Sequence, residues 1–302
     1  MMRILANDGL SQEGIDVIKN AGIEIDTNKI PQEDLPTRLN DYDAIIVRSA
    51  TTVRKDLIDA TNLKVIGRAG VGMDNIDVAY AREKGIAVVN TPGASSISVA
   101  ELVFAHLFSL CRYTHRSTNA MQNGQWPKNE YTGIELTGKT LGLIGFGNIS
   151  KEVAKRALGL GMKVQVFNRS AINPEGDITV ADDLDSLLSN SDFVSLHIPY
   201  DKEKGAMIGK EELAKMKEGA ILVNCARGGT VDESALLEAL NSGKIAGAGI
   251  DVWVNEPCTE AQKELINHPN VSATPHIGGS TEEAQDRVGI EIAERVVAEL
   301  KK

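Results

Sequence analysis

Short apolar runs recur along this chain, and most are followed by a stretch in which apolar residues return every three or four positions. Runs of the first kind fit strands buried on both faces, and the second kind fits helices with one apolar stripe. Their alternation predicts an α/β protein with parallel sheets. In the first third the predicted strands are Arg3–Ala6, Ala44–Arg48, Lys64–Gly67 and Ala87–Val89. The middle repeats the scheme with Thr140–Ile144, Lys163–Phe167, Phe193–Leu196, Ala220–Val223 and Ile245–Gly249. A helix is predicted over Ser11–Asn20, with Ser11 as its cap and Gly22 as a stop signal.

Two longer helical patterns, Val99–Ala120 and Thr281–Leu300, stand apart from this alternation. A domain inserted into another needs two crossings, and these helices are placed to make them. The expected organisation is a smaller domain of residues 1–98 plus 281–302, with a second domain inserted at 99–280. A chain of 302 residues is long enough for two domains and needs no covalent staples.

Composition narrows the class. Hydrophobic residues make up 42% and charged residues 25%, as in ordinary globular proteins. The net charge of −10, with no basic stripe to offset it, argues against a nucleic-acid surface. Cys111, Cys225 and Cys258 form no CxxC pair, so neither a metal site nor a disulfide framework is expected. No segment resembles a signal peptide or a membrane span, which needs roughly 18 apolar residues. The expectation is a soluble protein of the cytoplasm.

The first chemical signal is Gly145-Phe146-Gly147-Asn148-Ile149-Ser150, set between the strand Thr140–Ile144 and a helix. Gly145 can make the tight turn, and Gly147 lets backbone amides approach a pyrophosphate at the helix N-terminus. The third position of GxGxxG is Ser150, small enough to keep helix and strand close. This context predicts a dinucleotide-binding turn. The next strand ends in Asn168-Arg169-Ser170, where an acidic residue would read the ribose of NAD. Asn168 offers no repulsion to a 2′-phosphate, and Arg169 with Ser170 could bind one. Arg169 could equally be solvated and stacked on adenine, so both NAD and NADP stay open.

Three later segments each follow a predicted strand: Asn224-Cys225-Ala226-Arg227-Gly228-Gly229-Thr230-Val231-Asp232, Asp251-Val252-Trp253-Val254-Asn255-Glu256-Pro257, and Pro275-His276-Ile277-Gly278-Gly279-Ser280-Thr281. Together with the glycine motif, their order and spacing resemble the D-2-hydroxyacid dehydrogenases over nearly the whole chain. Val47–Thr51, Arg68–Asp77, Asn90–Pro92 and Ala100–Leu102 extend the likeness, which leans toward the phosphoglycerate dehydrogenase branch. That resemblance implies a Rossmann domain inserted into a smaller flavodoxin-like one. It also implies hydride transfer with a small 2-hydroxy or 2-keto acid, commonly by a homodimer, and a place in serine biosynthesis.

The chemistry asks for three roles. His276 is the candidate acid or base, since histidine titrates near neutrality without heavy tuning. Glu256 would fix its tautomer and favour the imidazolium, and Arg227 offers a planar fork for a carboxylate and can polarise a carbonyl. Any one of them could be an ordinary loop residue; their joint occurrence in these contexts argues otherwise.

By resemblance, cofactor contacts also fall on Asn148, Ile149, Ile198, Cys225, Ala226, Arg227, Asp251, His276 and Gly279. Substrate contacts fall on Arg48, Arg68, Val71, Gly72, Lys128, Arg227 and His276. Cys225 is read as a backbone contact rather than a nucleophile, and His197 as a packing residue. His106, His115 and His268 receive no role, and Trp126 is taken as an anchor for its loop. The helix Val99–Ala120 with the loop to Tyr131 is the expected dimer interface.

Departures temper the substrate. The family often has Arg where Asn148 stands, and phosphoglycerate enzymes often have Asn where Ser95 stands. The chain ends soon after its closing helix, so a C-terminal amino-acid-binding module is not expected. A glyoxylate or hydroxypyruvate reductase would share Arg227, Glu256 and His276, and a non-catalytic dinucleotide-sensing corepressor of this fold could retain them. Formate dehydrogenases carry Gln at the place of Glu256 and are set aside.

Overall fold

A computed structural model describes residues 2–302. The chain divides into two compact units, one of residues up to Ser95 together with Gly279–Lys302, the other Ser96–Gly278. In chain order the first unit runs β1 (Arg3–Ala6), α1 (Gln12–Asn20), β2 (Glu24–Asp26), α2 (Leu35–Arg38), β3 (Ala44–Val47), α3 (Lys55–Asp59), β4 (Val65–Arg68), α4 (Val78–Glu83) and β5 (Ala87–Asn90). The second begins with α5 (Ser96–Cys111), α6 (Thr114–Gln122), β6 (Thr140–Ile144), α7 (Asn148–Gly159), β7 (Lys163–Phe167), β8 (Ile178–Val180), α8 (Leu184–Asn190) and β9 (Phe193–Leu196). It continues with α9 (Lys210–Lys215), β10 (Ala220–Asn224), α10 (Glu233–Asn241), β11 (Ile245–Ile250), α11 (Lys263–Asn267) and β12 (Val271–Ala273). The closing helix α12 (Glu282–Leu300) belongs to the first unit.

Each unit holds one parallel sheet. The first has strand order β2-β1-β3-β4-β5 and the second β12-β11-β10-β9-β6-β7-β8. Both are covered on two faces, which explains the continuous apolar runs. In the first unit Leu5, Ile45, Val47 and Ile66 enter one core, while Ile4, Ala6, Ala44, Ile46 and Val65 enter the other with α12. In the second unit Leu222, Ala248 and Ile250 face one side and Ile221, Val223 and Leu143 the other, packed on α5 and α7. Adjacent residues on a strand point to opposite faces, so a run with no polar member is what two-sided burial demands.

The structure corrects the reading of the secondary structure in two places. Val99–Ala120 is not one helix: α5 and α6 are separated at Tyr113, whose φ is 53°. The Arg116 guanidinium lies over the rings of both Tyr113 and Tyr131, 5.4 and 5.6 Å from their centroids, and holds that turn. Three strands escaped the apolar-run criterion: β2, β8 and β12. All are three residues long and sit at sheet edges. Ser11 does cap α1, its side chain accepting from the Gly14 amide, and Thr281 caps α12 in the same way through Ala284.

Candidate active site

Strand order gathers the predicted residues of the second unit along one edge. The loops after β12, β11, β10, β9 and β6 are neighbours at the C-terminal ends of adjacent strands, where open parallel sheets bind ligands. The β6 loop turns at Gly145 with φ +90°, a conformation that suits glycine. A Cβ there would meet the His197 carbonyl oxygen at 2.6 Å and Ile198 Cγ2 at 2.8 Å. Gly147 caps α7, a helix of 12 residues, and nothing crowds the space beside it. A glycine turn running directly into a helix N-terminus is the backbone arrangement that suits a pyrophosphate. Ser150 is fully buried, and the small third position keeps the helix close to the sheet.

Asn168 closes the loop. Its Oδ1 accepts from the Phe146 amide at 3.3 Å and its Nδ2 donates to the Ser170 carbonyl at 2.9 Å. Arg169 and Asn148 are exposed and Ile149 and Ile198 half-buried around the same turn.

His276 has φ 55°, and its Nδ1 lies 2.6 Å from Glu256 Oε2. The other carboxylate oxygen, Glu256 Oε1, accepts from the Trp253 amide at 3.0 Å. The hydrogen bond to Glu256 raises the pKa of His276, and outweighs the burial that opposes it. For Glu256, burial works to raise the pKa, yet the bonds from His276 and the Trp253 amide leave it lowered. The pair therefore favours imidazolium beside carboxylate, with His276 Nε2 left for a ligand. Arg227 Nη1 donates to the Ala226 carbonyl at 2.6 Å, and its own carbonyl accepts from Asn224 Nδ2 at 3.1 Å and Thr230 Oγ1 at 2.7 Å, which stiffens the β10 loop.

Asp251 is 1% exposed and organises the His276 loop. Its Oδ1 accepts from Thr274 Oγ1 at 2.6 Å and from the Ile277 amide at 2.8 Å, and its Oδ2 from the Gly278 amide at 2.8 Å. Its carbonyl takes the His276 amide at 2.8 Å. Cys225 and Ala226 are buried, and burial pushes the Cys225 thiol well up, which suits a packing or backbone role. His197 is pushed down to about 3 by burial, with Nε2 3.0 Å from Ser195 Oγ. Trp126 is 77% exposed, too open for the loop anchor expected of it. Lys128 starts an exposed turn, Lys128–Tyr131.

The remaining predicted residues belong to the first unit. Val47 and Arg68 are register partners on β3 and β4, so Arg48, just past β3, and Arg68 both sit at strand C-termini. Arg48 lines a depression with Ser280, Thr281, Glu282, Gln285 and Asp286 at the start of α12. Its amide donates to Asp8 Oδ2 at 2.7 Å, and its carbonyl accepts from Asn75 Nδ2 at 2.7 Å. Arg68 Nη1 donates to the Ala69 carbonyl at 3.1 Å, the Val71 carbonyl takes Asn90 Nδ2 at 2.7 Å, and Gly72 follows in the same loop. The Gly279 carbonyl accepts from Gln285 Nε2 at 2.7 Å. Sequence reasoning missed Thr274 and gave His106 no role; a hydroxyl in Thr-Pro-His and one histidine within an apolar helix carry no motif of their own.

A glycine turn feeding a helix, with a paired acid and imidazole on the loops three and four strands away along the same sheet edge, is the arrangement expected of a dinucleotide-dependent oxidoreductase. The family model described as "D-isomer specific 2-hydroxyacid dehydrogenase, NAD binding domain" matches residues 104–278. A hydroxypyruvate reductase of Thermotoga maritima is 49% identical over 99% of this chain and 98% of its own. A D-3-phosphoglycerate dehydrogenase of Methanocaldococcus jannaschii is 44% identical over 98% of this chain, which spans 57% of that protein. The crystal structure of a Thermus thermophilus protein superposes with a TM-score of 0.90 at 34% identity, covering 99% of this chain and 97% of that one. The chain belongs to the D-isomer specific 2-hydroxyacid dehydrogenase family and is an NAD-dependent oxidoreductase of 2-hydroxy acids. No helix among the described residues is long and apolar enough to cross a membrane.

Proposed function

We propose that His276 is the proton donor and acceptor of this dehydrogenase, with Glu256 holding it and Arg227 binding substrate. The 2.6 Å contact between His276 Nδ1 and Glu256 carries this reading, because it commits one ring nitrogen and leaves Nε2 for the reacting oxygen. The Gly145–Ser150 turn would hold the dinucleotide by its pyrophosphate, and the nicotinamide end would supply or accept the hydride. In reduction, His276 Nε2 gives its proton to the carbonyl oxygen as negative charge develops there; in oxidation it takes that proton back. The Arg227 guanidinium pairs with the substrate carboxylate and polarises the neighbouring carbonyl. The acid–base pair, the arginine and the glycine turn all lie in the second unit.

The substrate pair is 3-phosphoglycerate and 3-phosphohydroxypyruvate in this reading, and the setting is the cytoplasm. Such a molecule is anionic at both ends and needs cationic anchors beyond Arg227. Arg48 and Arg68, at neighbouring strand ends of the first unit, support that assignment. A second reading is hydroxypyruvate reduction. Glu282 and Asp286 line the same depression as Arg48 and oppose a phosphate dianion, and the relative matched end to end is named for that activity.

Kinetics on phosphorylated and unphosphorylated substrates separate the two. Arg48→Ala and Arg68→Ala should each cost about 1.5–3 kcal/mol on the phosphorylated pair, the size of a charge-assisted bond. Glyoxylate and hydroxypyruvate reduction should barely change. Similar losses on both kinds of substrate would leave the reductase reading in front.

A further inference from the structure

We propose that His106 is a positioning residue for this reaction: through the Thr274 hydroxyl it holds Asp251, the carboxylate that sets the His276 loop. The proposal rests on the reading of His276 as acid and base.

His106 lies on α5, 1% exposed, with Nε2 3.2 Å from Thr274 Oγ1 and Nδ1 2.9 Å from Ser272 Oγ. Proton bookkeeping assigns the tautomer. The Thr274 hydroxyl has one proton, and at 2.6 Å that proton goes to the acceptor-only Asp251 carboxylate. Toward His106 the same oxygen can only accept, so Nε2 carries the hydrogen. Nδ1 is then bare and accepts from the Ser272 hydroxyl. Burial keeps the ring neutral, with its pKa pushed down to about 4, so this arrangement persists across the working pH range. Every polar atom of the chain His106–Thr274–Asp251 has a partner.

The end of that chain is the catalytic loop. Asp251 binds the amides on both sides of the His276 Cα position: its carbonyl takes His276 N, and its carboxylate takes Ile277 N and Gly278 N. These bonds impose the left-handed φ of 55° at His276, which a non-glycine residue adopts only when its surroundings demand it. The same helix also grips the far end of the loop, since Ser98 Oγ donates to the Gly278 carbonyl at 2.6 Å. β11 makes room for the imidazole. A Cβ at Gly249 would stand 2.6 Å from His106 Cβ, so the bare face of the strand is what admits the ring. The charged groups around His276 in this unit are Glu256 and Asp251, which raise its pKa, and Arg227, which lowers it.

Full-length His106→Leu, Thr274→Val and His106→Gln, loaded with NADH, test the relay. The readouts are kcat, the KM for NADH, and the His276 ring titration by NMR, assigned by its loss in His276→Asn. His106→Leu and Thr274→Val should each lower kcat about threefold to tenfold, the size of one net hydrogen bond. The KM for NADH should stay within about twofold, because an interaction serving the transition state is lost. Both variants should lower the His276 titration midpoint, since a looser loop weakens its bond to Glu256. His106→Gln keeps an amide donor and should recover most of kcat. The double variant should be no worse than the poorer single one. If His106→Leu does not fold, Thr274→Val against Thr274→Ser, which keeps the hydroxyl, carries the same comparison. Unchanged kcat and midpoint in folded Thr274→Val would overturn the relay. Retained turnover in His276→Asn would instead defeat the acid–base reading, and the midpoint shift would still report on the relay.

Discussion

Glu256 and His276 stand 20 positions apart in sequence and 2.6 Å apart in space, at the ends of adjacent strands β11 and β12. Neither is deeply buried, with side chains 37% and 47% exposed, so the pair shapes proton affinity more than it holds the fold. Its effect on activity has a definite sign. With His276 as the proposed acid, reduction needs its protonated form, so activity should be present at low pH and lost as pH rises through the folded pKa. Glu256 raises that pKa by accepting the Nδ1 hydrogen bond.

Glu256→Gln should therefore move the high-pH limb of kcat/KM for reduction to lower pH. The expected shift is toward the ordinary histidine value of about 6.5. An unmoved limb in pH–rate measurements would remove Glu256 from this role.

Cofactor choice should be decided at the end of β7. Asn168 uses its carbonyl for the Phe146 amide and its amide nitrogen for the Ser170 carbonyl. Asp at this position keeps the first bond, loses the second and adds charge where a 2′-phosphate would lie. Asn168→Asp should lower the kcat/KM for NADPH relative to NADH by more than about tenfold, or 1.4 kcal/mol. Equal losses with both cofactors would show that this residue does not read the 2′ position.

Gly145→Ala tests the cradle. The substitution places a methyl group 2.6 Å from the His197 carbonyl at a backbone φ of +90°. We expect NADH affinity, followed by protein fluorescence, to fall at least about tenfold, with a loss of roughly 1 kcal/mol or more of stability from the backbone alone. Wild-type affinity in the folded variant would mean the turn tolerates rearrangement and does not define the site.

The apolar side chains of Ile97, Phe108, Met121, Trp126 and Ile134 are all 40% or more exposed and fall within one stretch of the second unit. A second copy of the chain is the expected cover for so many exposed apolar side chains in one segment. Light scattering should report a dimer, and Phe108→Glu or Trp126→Glu should shift it toward monomer. A wild-type monomer at micromolar concentration would end this idea.

Much of this molecule was legible from the sequence because two-sided burial leaves a mark that needs no partner to be seen. The central strands β1, β3, β4, β6, β9, β10 and β11 are mostly apolar runs whatever their order in the sheet, and β7 shows as an alternation of Val164 and Val166 with Lys163 and Gln165. The Gly145 turn is likewise local, since strand, turn and helix are consecutive. Tertiary structure decided the rest. The edge strands β2, β8 and β12 are strands because a neighbour offers its backbone, and a sequence such as Glu24-Ile25-Asp26 cannot announce that. The break at Tyr113 depends on Arg116 reaching Tyr131. His106 and Thr274 are 168 positions apart, and only the packing of α5 on β11 and β12 brings imidazole, hydroxyl and carboxylate into one line. Hydrogen bonds act over about 3 Å, so their partners are chosen by the order of strands in the sheet and not by the order of residues in the chain.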